Sequence, residues 1–571
     1  MITSTEIECK KICVLRCIHV LFISCAIQFL LLAVFLLFVN FSAFHPFTWL
    51  SSTLGLFFSF YTWIYALPLI SIVISYVILS SNSYLAVNNY HPTRFSWLCA
   101  VGPKKIAFIV ICIALGFLTS WLYSRYLSDE YNTFIFNCFD GYCLNSRYMF
   151  ITWGGIYSGL YYFCKEKLTT DPDIKFPVIN EKRYVQVRSA LYKILYTCLI
   201  KSFVPTVFYS VIYWMFGGYV NLYIANLFGA NDDRILVSAN SFPLNAKLFF
   251  YVWILSSQIL SNLYILDGLF SVLLTQPSKF PIEKDPLSHS AEVTLVEGLA
   301  SFKVPIIQQL ASLDLYNLTN MQNVAKRQQL FTLSFPGGHP YNWKQLCIQC
   351  LNLIDSYTEE LSDSVKSIST VKCNEFYKPL KPTATETAEK ILLRQYNETY
   401  GIRRMMQAGN CQSQIEQKSS SVTEIFSEIN KNWAEIKKAT FKSLPGLFYL
   451  FGEPDGAKTA YMLSKSQNIV WITQGLAGLC AASLVEDKYG VVQNELTKII
   501  KSLLKLKMEL DKLNNVNLNG KKVDRNFLAL KNSIKRSLYK ICTVFSDYIR
   551  DLMNDSDEFK ILENFIFYQD N

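Results

Sequence analysis

The chain has 571 residues and a net charge of +10, enough length for three or four units of about 150 residues. Hydrophobic residues make up 51%, aromatics 15% and charged residues only 17%, against roughly a quarter charged in soluble domains. That balance excludes a plain soluble protein, and the apolar residues crowd into the first half of the chain.

Apolar runs of about 20 residues can cross a hydrocarbon core as helices. Six are predicted: Cys17 to Phe41, Leu54 to Leu79, Ile106 to Tyr123, Tyr148 to Phe163, Ile194 to Phe216 and Leu248 to Leu274. The fourth is the shortest. Pro68 and Pro205 fall inside spans, where neighbouring helices can satisfy the freed carbonyls. The first run is too long for a cleaved signal peptide.

Basic residues set the orientation. Lys10, Lys11 and Arg16 precede the first span, and Arg94, Lys104 and Lys105 lie between the second and third. Lys165, Lys167, Lys175, Lys182, Arg183, Arg188 and Lys193 lie between the fourth and fifth. The intervening loops hold only Arg125, Arg147, Arg234 and Lys247. The excess assigns the first set, and both termini, to the cytosol. Two charges fall inside spans, Lys201 and Asp267, and the expectation is that they pair across neighbouring helices. No internal repeat or matched pair of broken helices suggests a transporter.

Cysteines are scattered without zinc spacing. Cys347 and Cys350 form a lone C-x-x-C within a helical pattern and read as two buried positions. Cys138 and Cys143 flank Asp140-Gly141, a turn signal in a loop assigned to the lumen. An oxidising lumen would allow a disulfide there. Cys9, Cys13 and Cys17 read as ordinary residues of the entering helix, although juxtamembrane cysteines can be palmitoylated.

From Pro286 onward the patterns are helical. One stretch covers Ala291 to Leu318, interrupted or kinked at Pro305. TLSFPGGHPYNWKQL then concentrates turn residues, and Pro336, Gly337 and Gly338 predict a tight turn that Pro340 stiffens. Asn342 is assigned as the N-cap of a helix through Glu360, and Trp343 as its anchor. His339 stands in the same corner. Residues 361–384, rich in Ser, Thr and Lys, read as a linker, and Thr385 to Tyr400 as a helix. SLPGLFYLFG follows Lys437, Lys438 and Lys442. Leu444, Leu447, Phe448, Tyr449 and Phe451 make it a candidate membrane-interface segment. Farther on, Val491, Val492, Leu496, Ile499, Ile500, Leu503, Leu504 and Leu510 form one apolar stripe. Leu528, Ile534, Leu538, Ile541, Phe545 and Ile549 form another. Both must be buried, and an antiparallel pair joined by Leu513 to Asp524 is expected.

The chain thus reads as all-α. A cytosolic tail (1–16) leads into a six-helix membrane domain (17–275). A helical juxtamembrane segment (276–360), a partly flexible linker (361–420) and a C-terminal helical domain (421–571) follow. Signs of catalysis are missing. The five histidines are isolated, and no nucleophile elbow, Walker A, dinucleotide glycine fingerprint or H-E-x-x-H occurs. No cofactor, metal or catalytic residue is assigned. No clustered basic face or known module suggests nucleic acid.

Three segments resemble the transmembrane nucleoporins of the nuclear-division-cycle family. They are SFKVPIIQQLASLDL (Ser301 to Leu315), RQQLFTLSFPGGHPYNWKQLCIQCLNLID (Arg327 to Asp355) and ITQGLAGLCAASLVEDKYGVVQ (Ile472 to Gln493). Animal members of that family usually carry a longer Ser/Pro-rich insert between the last two blocks. The resemblance implies an integral membrane protein of the nuclear envelope, not an enzyme. It would anchor the nuclear pore complex and recruit soluble nucleoporins, among them the β-propeller protein aladin and a small membrane-binding nucleoporin with an RRM-like fold. Glu486, Asp487, Tyr489 and Gly490 are the first candidate docking surface and the PGGHP corner the second, the alternative being that both shape the domain through internal packing and capping. The alternatives are a multi-pass transporter or channel, and a general endoplasmic-reticulum membrane tether.

Overall fold

The computed structural model describes residues 4–41, 44–87, 90–127, 129–138, 141–168, 176–177, 181–232, 246–284, 292–320, 324–334, 337–376, 449, 451–452, 456–517, 524–552 and 556–567. The fold is all-α apart from one small three-stranded sheet.

The membrane half begins with α1 (Ser4–Val39), which carries no Asp, Glu, Lys or Arg after Arg16. The residues predicted as a tail are therefore already helix from Ser4, and Cys9 and Cys13 are buried. A short α2 (Pro46–Phe57) opens with proline at its first turn, where the missing N–H costs nothing. α3 (Phe60–Leu85) and α4 (Arg94–Ser124) follow. Thr93 starts α4 with a reciprocal capping box to Ser96. β1 (Ile135–Cys138) and β2 (Gly141–Leu144) make an antiparallel hairpin, with Gly141 at φ 120° in its turn. Asn145 caps α5 (Ser146–Tyr162), which runs into a π-helical turn at Phe163–Lys167. α6 (Arg183–Lys201) and α7 (Phe203–Phe228) meet at Ser202. β3 (Asn231–Asp232) pairs in parallel with β2, and α8 (Ala246–Leu274) closes the bundle.

Six helical stretches are long and apolar enough to cross a membrane. Five coincide with predicted spans: Thr5–Val39, Phe60–Leu85, Arg94–Ser124, Arg183–Phe228 and Ala246–Leu274. The second predicted span begins too early, because the chain breaks at Phe58 and Ser59 between α2 and α3. The fifth straddles the break between α6 and α7. The fourth is α5, 17 residues long before its π turn and packed between α4 and α8. The sixth stretch by composition, Ser466–Glu486, lies inside the C-terminal half and is buried there by protein.

Lipid tails are as apolar as leucine, so helices in a bilayer associate by close packing and hydrogen bonds. α4 and α5 show this at Gly116 and at the G-x-x-x-G of Gly155 and Gly159. A Cβ on Gly159 would stand 2.2 Å from the Cys112 carbonyl oxygen, and one on Gly116 2.2 Å from that of Gly155. Arg16 joins the first helix to the last: its guanidinium donates to the Leu274 carbonyl at 2.8 Å, where the dipole of α8 favours a cation.

The C-terminal half contains α9 (Leu295–Leu299), α10 (Pro305–Asn320), α11 (Val324–Phe331), α12 (Tyr341–Phe376), α13 (Ala457–Ser464) and α14 (Ser466–Glu486). α15 (Gln493–Asn517), α16 (Arg525–Val544), α17 (Ile549–Leu552) and α18 (Ser556–Ile566) complete it. The helical stretch expected from Ala291 to Leu318 is interrupted before Pro305, giving α9 and α10. α14 is its axis. Ile472, Leu476, Leu479 and Cys480 are fully enclosed, and Gly475 and Gly478 let Leu315 and Thr319 of α10 come close. α14 is apolar on all sides and must be covered on more than one. It takes α10 on one flank and α16 on another, while α15 lies mainly on α12. The expected α15–α16 pair is therefore only a minor contact. All eight residues of the first predicted stripe are buried. In the second, Leu528 is 44% exposed and Phe527 and Leu530 point inward instead. α12 continues to Phe376, into the region expected to be linker, and the helix expected over 385–400 lies outside the described residues.

The α4–α5 contact gives a direct test. Gly159→Ala should lower the melting temperature of the full chain in detergent by several degrees, because backbone must move. Gly102→Ala, which meets open space, should be neutral or slightly stabilising. Equal melting temperatures for the two variants would contradict the close approach.

Candidate functional site

The strongest polar constellation outside the membrane half joins two of the motif blocks. Arg327 of α11 forks onto Glu486, the last residue of α14. Nε donates at 3.0 Å to one carboxylate oxygen and the terminal nitrogen at 2.6 Å to the other. The other terminal nitrogen reaches the Leu318 carbonyl at 3.3 Å, at the end of α10. The two side chains are 11% and 12% exposed. The carboxylate raises the guanidinium pKa above its ordinary value. Such a two-point, charge-assisted fork fixes geometry as well as charge.

Asp487 is used locally. Its carboxylate accepts from the backbone N–H of Tyr489 at 3.0 Å and of Val492 at 3.0 Å, just before α15. Gly490 completes the turn at φ 65°, where a side chain would be strained. Glu486 is thus turned inward, and Asp487 shapes the corner. The outer side of the same turn is apolar: Leu484, Val485 and Tyr489 are 52%, 88% and 63% exposed.

The PGGHP corner is a second shaped turn. Gly337 and Gly338 have φ of 123° and 61°. Ser334 N–H donates to the His339 carbonyl at 2.8 Å, and Gly338 N–H to that of Ser334 at 2.9 Å. Pro336 lies outside the described residues. Pro340, not Asn342, is the N-cap, since its carbonyl accepts from Lys344 N–H at 3.0 Å. The missing N–H of proline is harmless there. Asn342 instead donates to Glu283 and to the Gln329 carbonyl, tying the helix start to its neighbours. Trp343 is completely buried, its ring 5.6 Å from that of Phe331. It is an internal anchor and offers nothing to a partner. His339 is exposed.

Beside this corner lies a cleft of about 690 Å³ lined by Lys284, Glu297, Thr332, Ser334 and Asn342 among others. Lys284 and Glu297 bridge at 2.7 Å. Burial works against the Glu297 charge, but hydrogen bonds from Lys284 and the Thr294 backbone hold its carboxyl below the ordinary range. Cys347 and Cys350 are free and buried, and burial pushes the Cys347 thiol up to about 12. Among the described residues no group of His, Cys, Asp or Glu could hold a metal ion.

Asp267 in α8 has a different partner from the one expected. Lys167 pairs with it at 2.9 Å. The Tyr76 hydroxyl donates to it at 2.8 Å, and that of Tyr162 also donates to it. The π turn explains the arrangement. Leu168 N–H bonds to the Phe163 carbonyl, an i to i+5 step. This step swings Lys167 onto the face of Tyr162, five positions earlier, whereas an α-helix would turn it away. Lys201 ends α6 and is exposed.

Of the interface segment, Tyr449 and Phe451 are described, whereas Leu444, Leu447 and Phe448 lie outside the described residues. Arg94 sits 3.7 Å over the Tyr449 ring, and Phe95 stacks on Phe451 at 4.7 Å. These contacts dock the segment on the first turn of α4. Cys143 is disulfide-bonded. The side chain of Cys138, its expected partner, lies outside the described residues.

Comparison with known proteins now decides the family. The family described as "Nucleoporin protein Ndc1-Nup" matches residues 11–563. Nucleoporin Ndc1 of Drosophila melanogaster is 36% identical over 573 residues, covering 99% of each chain. Nucleoporin NDC1 of Homo sapiens is 23% identical over 94% of each. The chain belongs to the Ndc1 nucleoporin family. It is a nuclear pore membrane protein, and its family is one of structural pore components rather than of enzymes.

Two decisive residues, Arg327 and Lys167, carried no local signal. Arg327 opens a motif block but looks like any surface arginine of a short helix. Lys167 differs from Lys165 only through the π turn.

The Asp267 assignment predicts a sharp contrast. Asp267→Asn strands the Lys167 charge and should cost on the order of 3 kcal/mol. Lys201→Met should stay within about 0.5 kcal/mol. Unfolding of the full chain in nanodiscs measures both, and equal losses would return the pairing to Lys201.

Proposed function

We propose that this chain anchors the nuclear pore complex in the pore membrane and recruits soluble nucleoporins through its C-terminal half. Family membership supports the setting. The feature that carries the recruitment reading is the exposed face of Leu484, Val485 and Tyr489, held rigid by the Arg327–Glu486 fork behind it. Exposed apolar side chains on a well-braced turn are the usual anchors of protein interfaces. The partners implied by the family resemblance are an aladin-like β-propeller and the small membrane-binding nucleoporin with an RRM-like fold.

The membrane half would hold this face at a fixed distance from the bilayer. Glu6 of α1 pairs with Lys303 at 2.8 Å, Arg94 grips Tyr449, and the Tyr90 and Tyr461 rings lie 5.4 Å apart. These contacts bring the N-terminus of α1 and the C-terminal half to one end of the bundle. Together with the excess of basic residues there, they support both termini on the cytosolic, pore side. The disulfide at Cys143 marks the opposite end and suits an oxidising lumen.

The test is capture of the aladin β-propeller by the full-length chain in detergent, compared with a Val485→Asp/Tyr489→Ala variant. Recovery should fall at least tenfold in the variant, with an unchanged melting temperature. Undiminished recovery would move docking away from this turn, and no recovery by the unaltered chain would contradict recruitment of that partner.

A further inference from the structure

α5 and α8 run side by side in the same direction and give the bundle a common height scale. A Cβ on Gly154 would meet Val252 at 2.9 Å, and Ser158 bonds to Ser256 at 2.9 Å. α6 follows this scale along its length. Arg183 begins it, and past its middle a Cβ on Gly268 of α8 would meet Ile194 at 3.1 Å. Near its other end, the Leu199 carbonyl accepts from the Trp253 indole at 3.2 Å. α6 therefore runs antiparallel to α8, with Ile194 beside Gly268 and Leu199 beside Trp253. Its uncharged stretch is Ile194 to Ile200.

α7 does not continue this climb. Phe203 lies 5.9 Å from Phe249 and 5.8 Å from Trp253, on either side of Val252 and so at the height of Gly154. Tyr209 donates to the Phe150 carbonyl at 2.6 Å, and the Tyr213 ring is 4.9 Å from that of Phe150. Ala225 packs with Leu144, Tyr148 and Met149. From Phe203 to Ala225 the helix covers about 33 Å, yet the heights it touches differ by only about 10 Å along α5. α7 is thus steeply inclined to the bundle and runs from the height of the middle of α5 to the hairpin.

Its surface fits lipid and not water. None of its 26 residues is charged. The small and polar residues Thr206, Ser210, Gly217 and Asn221 face the protein. Phe208, Met215, Tyr219, Tyr223 and Leu227 face outward and are exposed. A soluble amphipathic helix has the reverse arrangement.

We propose that α7 lies nearly in the membrane plane, immersed in the leaflet on the hairpin side. The ligand of its outer face is the acyl chains and headgroup boundary of that leaflet alone. A helix of this length adds area to one leaflet only, an asymmetry that couples binding to curvature. α6, with Arg183, Arg188 and Lys193 toward its cytosolic end, carries the chain down to the elbow at Ser202. This inference rests on the membrane topology and is independent of nucleoporin recruitment.

The test uses the full chain in phosphatidylcholine nanodiscs. Cys25, Cys99 and Cys164, the described free cysteines that are not buried, are replaced by serine together with Cys373 and Cys411. Single nitroxide labels are placed at Phe208→Cys, Tyr219→Cys and Leu227→Cys, and depth is read by power saturation with oxygen and a nickel chelate. Tyr184→Cys and Leu195→Cys in α6 are the internal control. The three α7 labels should lie within about 10 Å of one another in depth, and the two α6 labels about 16 Å apart. A depth difference near 28 Å between Phe208 and Leu227 would mean that α7 crosses the bilayer, and would overturn the proposal.

Discussion

The Arg327–Glu486 fork is the interaction on which the C-terminal half depends. It joins residues 159 positions apart and binds the middle of α11 to the ends of α10 and α14. Both groups are largely withdrawn from water, so neither can lose its partner cheaply. With Glu486 fixed, Asp487 is placed to receive the N–H groups of Tyr489 and Val492, and Gly490 lets the chain turn into α15. The side chains left over, Leu484, Val485 and Tyr489, have no interior to enter. The charged residues of the motif thus act as a brace, and the apolar ones form the presented surface.

The membrane half is held by a different set of forces. Without water to expel, its helices approach through glycine, as α4 and α5 do at Gly116, Gly155 and Gly159. Polar groups find each other across the bundle, with Ser158 on Ser256 and both Tyr76 and Lys167 on Asp267. The two halves meet at one end through contacts that include Glu6 with Lys303, Arg94 with Tyr449, Tyr90 with Tyr461 and Phe176 with Trp471, and they share one apolar core.

Much of this was legible in the sequence, for identifiable reasons. Apolar length alone located five of the membrane stretches, and glycine pairs with proline marked the corner at Gly337 and Gly338. Periodicity identified the buried face of α15 residue by residue. What escaped depended on the third dimension or on departures from α geometry. The π turn that carries Lys167 to Asp267 inserts an i to i+5 step that no α-helical wheel contains. The elbow at Ser202 separates two helices whose sequences read as one apolar run. Asn342 looked like a cap, but the carbonyl of Pro340 takes that role. Glu486 looked like a surface acid because its cation stands 159 residues away.

The most direct test of the central claim is a double-mutant cycle on the fork. Arg327→Met, Glu486→Leu and the double variant of the full chain would be unfolded in detergent by urea. Each single change should cost on the order of 3 kcal/mol, because it leaves a buried charge alone. The double variant should regain much of that loss, with a coupling of about 1.5 kcal/mol or more. Losses that simply add, or single variants as stable as the parent, would contradict the account in which this ion pair braces the docking face.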